Sequence, residues 1–460
     1  MDKKYILEQL QKRYIEPTKR KSGNYIGVEI EMPIVNLNKQ AVDFDIVHRS
    51  ADEFIRHFDF EPIGIDDSGY VYAAQSKTNG DIMSFDCSYN NLELSFGREK
   101  DLHEIDRRFR LYHSFFAEFF KEYNYMLTGM GVNPYHEYNH NVPIENGRYR
   151  MLFHHLHSYK NYHLPMYFHH YPDYGTFSSA SQVQLDVEYE KLPETINAFT
   201  KLEPIKALLF NNSVLLGEND HLHCCRDMFW ENSTHGINPH NIGMFEYEIG
   251  SNDELLKYIA TTSIYCTERE GKYINFVPVN IVEYLNSDSV EGEYFDGKGY
   301  QKITFKPEID DLKYLRTFKF EDLTFRGTIE FRSVCCQPLG DSMCVAAFHI
   351  GLIENTEKLS EILSKDKVLY HQGYNAGELR KMFVKDSLPE FVDENELYSL
   401  AKEVLDLSRD GLLKRNLGEE IYLAPLYDRI KKHTNPAIHL YQELSDGKSL
   451  DDIIIEYGTI

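Results

Sequence analysis

Apolar residues return with a period of two in a few short stretches of this chain, and every third or fourth residue in several longer ones. The first pattern predicts strands over 24–34, 181–189 and 325–334, because successive side chains on a strand point to opposite faces. The second predicts helices. Over 101–124, Leu102, Ile105, Phe109, Tyr112, Phe116 and Phe119 share one face, and 192–216, 340–364 and 393–408 read the same way. Residues 3–14 have the spacing of a short amphipathic helix. From about residue 340 nearly everything is helical, whereas 140–176, rich in aromatics and histidine, fits neither period. The sum is an α+β architecture, an antiparallel sheet with helices around it and a helical C-terminal part. No linker or internal repeat divides the chain. The expected layout is a sheet region over 1–340 with a helical part, 341–460, packed on the same domain.

The polar faces of the strands carry the chemistry. In Tyr25-Ile26-Gly27-Val28-Glu29-Ile30-Glu31-Met32, the residues Ile26, Val28, Ile30 and Met32 point into a core and Glu29 and Glu31 point the other way. Two like charges at i and i+2 repel, and Glu is a poor strand former, so a bound divalent cation would relieve the pair. Asp86 and Glu93 have opposite parity on one continuous strand, and a turn or bulge at Asn90-Asn91 could bring them to one face. In Ser181–Glu188, the residues Gln182, Gln184, Asp186 and Glu188 share a face. In Phe325–Ser333, Phe325, Ile329 and Phe331 pack on one side, and Arg326, Thr328, Glu330 and Arg332 align on the other. That face suits a phosphate and its metal, with Glu330 ligating the cation and Arg332 forking the phosphoryl oxygens. Taken singly, each strand is equally well explained by a solvated face or an ion-pair ladder.

Composition narrows the chemistry. The chain has 460 residues, 42% hydrophobic, enough for a sizeable core, and a net charge of −24. Nucleic acid and anionic membrane surfaces are therefore poor partners. The N-terminus has no apolar signal region and no stretch is long enough to span a bilayer. The seven cysteines show no metal-ligand spacing, and the expectation is a reduced, cytoplasmic protein. His154, His155, His157, His163, His169 and His170 crowd one segment without the spacing of a helical zinc pair, and a packed aromatic loop accounts for them better. Oxygen ligands without Cys or regular His imply Mg²⁺ or Mn²⁺. There is no GxxxxGK[ST], so a nucleotide would not sit on a P-loop.

The segments resemble, in order, the glutamate–cysteine ligase family in its plant-like and bacterial branch. The match runs through Gly27–Glu31, Asp86 to Glu93, Gly129–Pro134, Gly147–Tyr149, Ser181–Asp186, Arg226 with Trp230, Thr328–Ser333 with Gln337-Pro338, and the tail from Asp410 to Ala437. The resemblance implies a glutamine-synthetase-like fold, a curved antiparallel sheet holding Mg²⁺ and ATP. It implies metal ligation by Glu29, Glu31, Asp86, Glu93, Gln182 and Glu330, phosphoryl contact by Arg332, and an amino-acid substrate at Arg226 and Trp230. The expected reaction joins L-glutamate, through its γ-carboxylate, to the amine of L-cysteine. Two departures stand out. Phe177 occupies a position where that pattern has an Arg, which leaves Arg148 or a His of 154–170 to replace it, and the stretch from Glu231 to Gly243 is altered. A ligase with another acceptor or donor, a metal-dependent hydrolase and an inactive binding protein remain alternatives.

Overall fold

The computed structural model describes residues 1–20, 23–217 and 221–460. Its main sheet has nine strands. They are β1 (Ile26–Asn36), β2 (Phe60–Ile65), β3 (Val71–Ser76), β4 (Ile82–Phe85), β5 (Asn91–Glu99), β6 (Tyr125–Leu127), β7 (Ser181–Asp186) and the short strands Glu321–Leu323 and Thr328–Phe331. Across the sheet the order is Glu321–Leu323, Thr328–Phe331, β7, β1, β5, β4, β3, β2, with β6 paired to the far end of β1. Every pairing is antiparallel.

β1 is central because one of its faces is wholly apolar. Ile26, Val28, Ile30 and Met32 are buried against helices, as are Leu92 and Leu94 of β5 and Val183 and Leu185 of β7. The helix Leu102–Lys121 packs on β5 and Met343–Ile353 on β7. Phe331 meets the Phe199 ring at 4.5 Å and the His349 ring at 4.7 Å. The helix Met343–Ile353 lies unusually close to Glu394–Arg415. A Cβ on Gly351 would sit 2.0 Å from the Ser408 carbonyl oxygen, so only glycine permits that approach.

The alternation holds for β1 and β7, and the helical period for Leu102–Lys121 and Glu394–Arg415. Elsewhere the structure departs from the pattern. The strand expected over 325–334 is only Thr328–Phe331, because Gly327, at φ +77°, closes a turn in which its N–H donates to the Thr324 carbonyl. Phe325 is in consequence 51% exposed and does not join the core. The helix expected over 192–216 stops at Phe210, and that over 340–364 is two, Met343–Ile353 and Thr356–Lys365. The N-terminal helix ends at Leu10 and continues as a π-helical turn, Gln11–Ile15. The interval 140–176 contains the helix Gly147–His157, its period obscured by four aromatic and basic positions in its last turns. Behind that helix lies a second, four-stranded antiparallel sheet, ordered Tyr300–Phe305, Val290–Phe295, Lys272–Asn280, Ser263–Arg269, which the pattern does not predict.

Candidate active site

The face of the main sheet opposite the core lines a cavity of about 590 Å³. Register alone gathers its carboxylates. Glu29 sits opposite Ser95 on one side and Gln182 on the other, and Glu31 sits directly opposite Glu93. Glu330 pairs with Gln184 of β7 and with Asp322 on the neighbouring short strand. Asp86 arrives by another route. Residues 86–90 form the buried turn between β4 and β5, with Cys87 at φ +61°, so the device is a hairpin turn rather than a bulge within one strand. Glu31, Asp86 and Glu93 each offer an oxygen, and the three atoms lie within 4.8 Å of one another.

Like charges held this close in a buried place resist ionisation. Burial, then the charges of Asp86 and Glu93, push the Glu31 carboxyl up to about 8. Burial and Asp86 push Glu93 up to about 7, although Ser95 donates to its Oε1 at 2.5 Å. Burial, with Glu330 and Glu93, raises Glu29 well above the carboxylate range. Glu31 accepts from the Ala180 N–H at 2.7 Å and from Gln182 Nε2 at 3.0 Å, while the buried Gln182 Oε1 has no partner. Three convergent carboxylate oxygens and an orphaned amide oxygen form a donor set that fits a hard divalent cation such as Mg²⁺.

The basic groups face this floor. Arg332 Nη1 donates to Glu330 Oε2 at 2.8 Å, and its guanidinium lies 5.8 Å from the centre of the Phe318 ring. Burial works against its charge, but Glu330, Asp322 and Glu29 hold its pKa above the usual arginine value. Arg226 Nη1 reaches the Ser333 carbonyl at 3.4 Å. Trp230, one turn along the same short helix, Cys225–Glu231, stacks on Phe318 at 4.6 Å. Arg148, at the start of Gly147–His157, lines the cavity beside Tyr149, whose hydroxyl donates to Asp86 at 3.4 Å. The residues expected to meet metal, phosphate or substrate border one cavity: Glu29, Glu31, Asp86, Glu93, Gln182, Glu330, Arg332, Arg226, Trp230 and Arg148, whereas Gln184, Asp186 and Thr328 of the same strand faces line a neighbouring one.

Phe177 is buried between the rings of His136 and Phe229, at 4.6 and 5.8 Å, and offers the cavity no cation. Among the described residues the cavity's histidine is His235, from the altered stretch after Trp230, and not one of 154–170. His155 lies behind it, 5.1 Å away ring to ring, stacked on Tyr265 at 4.0 Å.

Asp322 and Arg13 are among the lining residues that the sequence pattern does not reveal. Asp322, half-buried, accepts from Thr317 Oγ1 at 2.5 Å, and desolvation raises its carboxyl to about 6 despite Arg332. Its strand is three residues long, too short to show a period. Arg13 comes from the π-helical turn and presents a buried Nε without a partner. A regular helix would give no hint of it, because the π turn shifts the register of the face.

A stability prediction follows from the shifts. Unfolded, Glu31 and Glu93 titrate near 4.5; folded, near 8 and 7. A raised folded pKa contributes stability that is fully present below the unfolded value and is lost as the pH rises through the folded one. The metal-free protein is expected to melt at lower temperature at about pH 8.5 than at about pH 6, and Mg²⁺ to raise Tm more at the higher pH. Calorimetry in EDTA and in Mg²⁺ checks this; a Tm flat across that range in EDTA counts against the coupled carboxyls.

No family model matches the chain. It is 23% identical over 286 residues to the chloroplastic glutamate–cysteine ligase of Solanum lycopersicum, a match covering 60% of this chain and 51% of that protein. The chain thus spans about half the length of that curated relative. The crystal structure of glutamate–cysteine ligase from Francisella tularensis in complex with AMP superimposes with a TM-score of 0.51 at 12% identity, over 95% of this chain and 88% of that one. A bifunctional glutathione synthetase from Pasteurella multocida gives 0.49 at 11%, over 100% of this chain and 54% of that one. No described helix is long and apolar enough to cross a membrane. The chain is thus similar in sequence, over 286 residues, to a glutamate–cysteine ligase, and in fold to another.

Proposed function

We propose that the protein is an ATP- and Mg²⁺-dependent carboxylate–amine ligase that joins L-glutamate to the amine of L-cysteine through an acyl phosphate. The observation that carries this reading is the meeting, on one sheet face, of the Glu31–Asp86–Glu93 oxygens with the Glu330–Arg332 pair. A carboxylate is a poor acyl donor because its oxygen leaves badly. Transfer of the ATP γ-phosphoryl group to that oxygen, with loss of ADP, makes phosphate the leaving group, and the neutral amine then displaces it to give the amide. Chemistry of this kind asks the protein to position anions and offset their charge. Bound Mg²⁺ would neutralise phosphate oxygens and hold them in line.

The chain's own residues divide the remaining work. Glu31, Asp86, Glu93 and Gln182 Oε1 would hold one cation, and Glu29 with Glu330 faces the phosphate side. Arg332, kept charged by its carboxylate neighbours, is aimed at the group in transfer. Arg226 and Arg148 would take an amino-acid carboxylate, with Trp230 as an apolar wall; Arg13, Lys313 and Arg316 line the same cavity. A further cavity of about 310 Å³ shares Arg326 with the first and is lined by Arg20 and Arg98, room suited to the rest of a nucleotide.

The test is ADP release with Mg²⁺ and ATP, given each amino acid alone and in pairs, with mass analysis of the product. Turnover is expected to need L-glutamate plus an amine, with L-cysteine the best acceptor and a γ-glutamyl dipeptide formed. Phe177, which brings no cation to the cavity, favours a second reading in which the donor or acceptor differs. Turnover with glutamate and another amine but not cysteine would select it. Amide hydrolysis without ATP would replace the class with a metal-dependent hydrolase.

A further inference from the structure

Beneath the cavity lies an ionic network that the ligation chemistry does not use. Arg380, on the helix Ala376–Phe383, is 2% exposed. Its Nε and Nη2 donate to the two carboxylate oxygens of Asp227 at 2.7 and 3.1 Å, and its Nη1 to Glu203 Oε2 at 2.5 Å. Glu203 also accepts from Ser333 Oγ at 2.9 Å and pairs with the fully buried Lys206. The charges close on themselves. Arg380 and Lys206 offset Glu203 and Asp227, and the neighbouring Glu321, 3.9 Å from Lys206, has its carboxyl raised well above the usual range by burial and the Glu203 charge.

The network touches the site at two points. Asp227 lines the cavity and follows Arg226 on the short helix that ends just beyond Trp230. The Ser333 carbonyl, next to Arg332, accepts from Arg226 Nη1 and from Arg380 Nη2, both at 3.4 Å. A helix of seven residues is too short to hold its own geometry in isolation, so its orientation must come from outside. The bidentate Arg380–Asp227 contact is the strongest tether it has on the core side.

We infer that Arg380 is a positioning residue: through Asp227 and the Ser333 carbonyl it fixes Arg226 and Trp230 relative to Arg332, and so sets the fit of the amino-acid substrate. This rests on the proposed ligase reading only where Arg226 is taken to hold a carboxylate. Arg380→Lys keeps the positive charge, so Glu203 and Asp227 stay compensated, but one ammonium cannot grip both carboxylates and the carbonyl. The expected result is a KM for one amino-acid substrate raised about ten- to a hundredfold, with KM for ATP within about twofold, since a displacement near 1 Å at a positioning group has effects of this size. Trp230 is the chain's single tryptophan and supplies a readout that needs no turnover. Its fluorescence is expected to be quenched more readily by acrylamide in Arg380→Lys and, to a smaller degree, in the milder Asp227→Asn. A purely structural role would lower Tm and leave both readouts alone. Unchanged KM and unchanged quenching in both variants overturns the inference. Absence of ligase turnover in the unsubstituted protein overturns the proposed activity instead, and the quenching still decides the tether.

Discussion

Arg332→Lys is expected to fold and to lose about a hundred- to a thousandfold in kcat, the scale of removing one preorganised donor from a developing anion. The side chain is 24% exposed, directed at the cavity, and already committed through Nη1 to Glu330. The rest of the guanidinium fork remains for a phosphoryl oxygen, in the same plane and at a fixed angle. Lysine keeps the charge that Glu330, Asp322 and Glu29 require, so no buried carboxylate is orphaned and Tm should move by only a few degrees. It cannot hold Glu330 and the phosphoryl group together in that geometry. An interaction strengthened in the transition state lowers kcat and kcat/KM together when lost, while KM for ATP changes little. Steady-state kinetics beside thermal unfolding distinguishes the cases. A normal kcat with a lowered Tm would make Arg332 a structural ion.

How much of this was legible before the structure depended on segment length. β1 spans eleven residues and alternates from Ile26 to Met32, so its period settles both its identity and which face carries Glu29 and Glu31. β7 reads equally well. The Glu321–Leu323 and Thr328–Phe331 strands are three and four residues long, below the span over which a period of two can be told from chance. Their place in the sheet comes from tertiary pairing, and Asp322 was missed for that reason. Phe325 looked like a core residue because alternation was continued through Gly327, whose positive φ ends the strand. The four-stranded second sheet was invisible for a related reason: Tyr300–Phe305 has five of its six residues exposed or half-buried, so it carries no clean apolar face.

Site chemistry was legible where residue type is itself a constraint. Glutamates alternating with β-branched and aliphatic residues make a poor strand unless something outside the chain offsets them, and that oddity pointed at the cavity. What the sequence could not express is register. Nothing local says that Glu31 faces Glu93, or that a buried turn brings Asp86 within reach of both. The resemblance supplied the grouping, and the pairing of β1, β4 and β5 supplies its physical cause. Arg380 lies outside every motif, since its partners are 153 and 177 residues away in the chain.

Glu31→Gln separates the two consequences of that grouping and should move them in opposite directions. In the metal-free protein Glu31 is the most crowded of the three clustered acids, buried with Asp86 and Glu93 as its largest charged neighbours. Replacing its carboxylate by an isosteric amide removes the like-charge repulsion that grows as the pH rises. The amide oxygen can still accept from the Ala180 N–H at the position of Oε2. The amide nitrogen then needs an acceptor, and Gln182 provides one by turning over, because its Oε1 is at present unpartnered while its Nε2 donates to Glu31. The metal-free variant is therefore expected to melt higher than the unsubstituted protein at about pH 8.5 and by a smaller margin at about pH 6, where the folded parent keeps the Glu31 proton that its unfolded chain has already lost. With Mg²⁺ the order reverses. An amide oxygen is a weaker ligand for a hard cation than a carboxylate, and one of three clustered charges is gone. Mg²⁺ is expected to raise Tm far less in the variant, and ligase turnover to fall about a thousandfold or more, a loss comparable to removing a main electrostatic stabiliser. Calorimetry with and without Mg²⁺ at the two pH values, alongside ADP release, tests both halves. A variant that gains no metal-free stability at high pH would deny the repulsion, and one that keeps its Mg²⁺ response and turnover would remove Glu31 from the metal site.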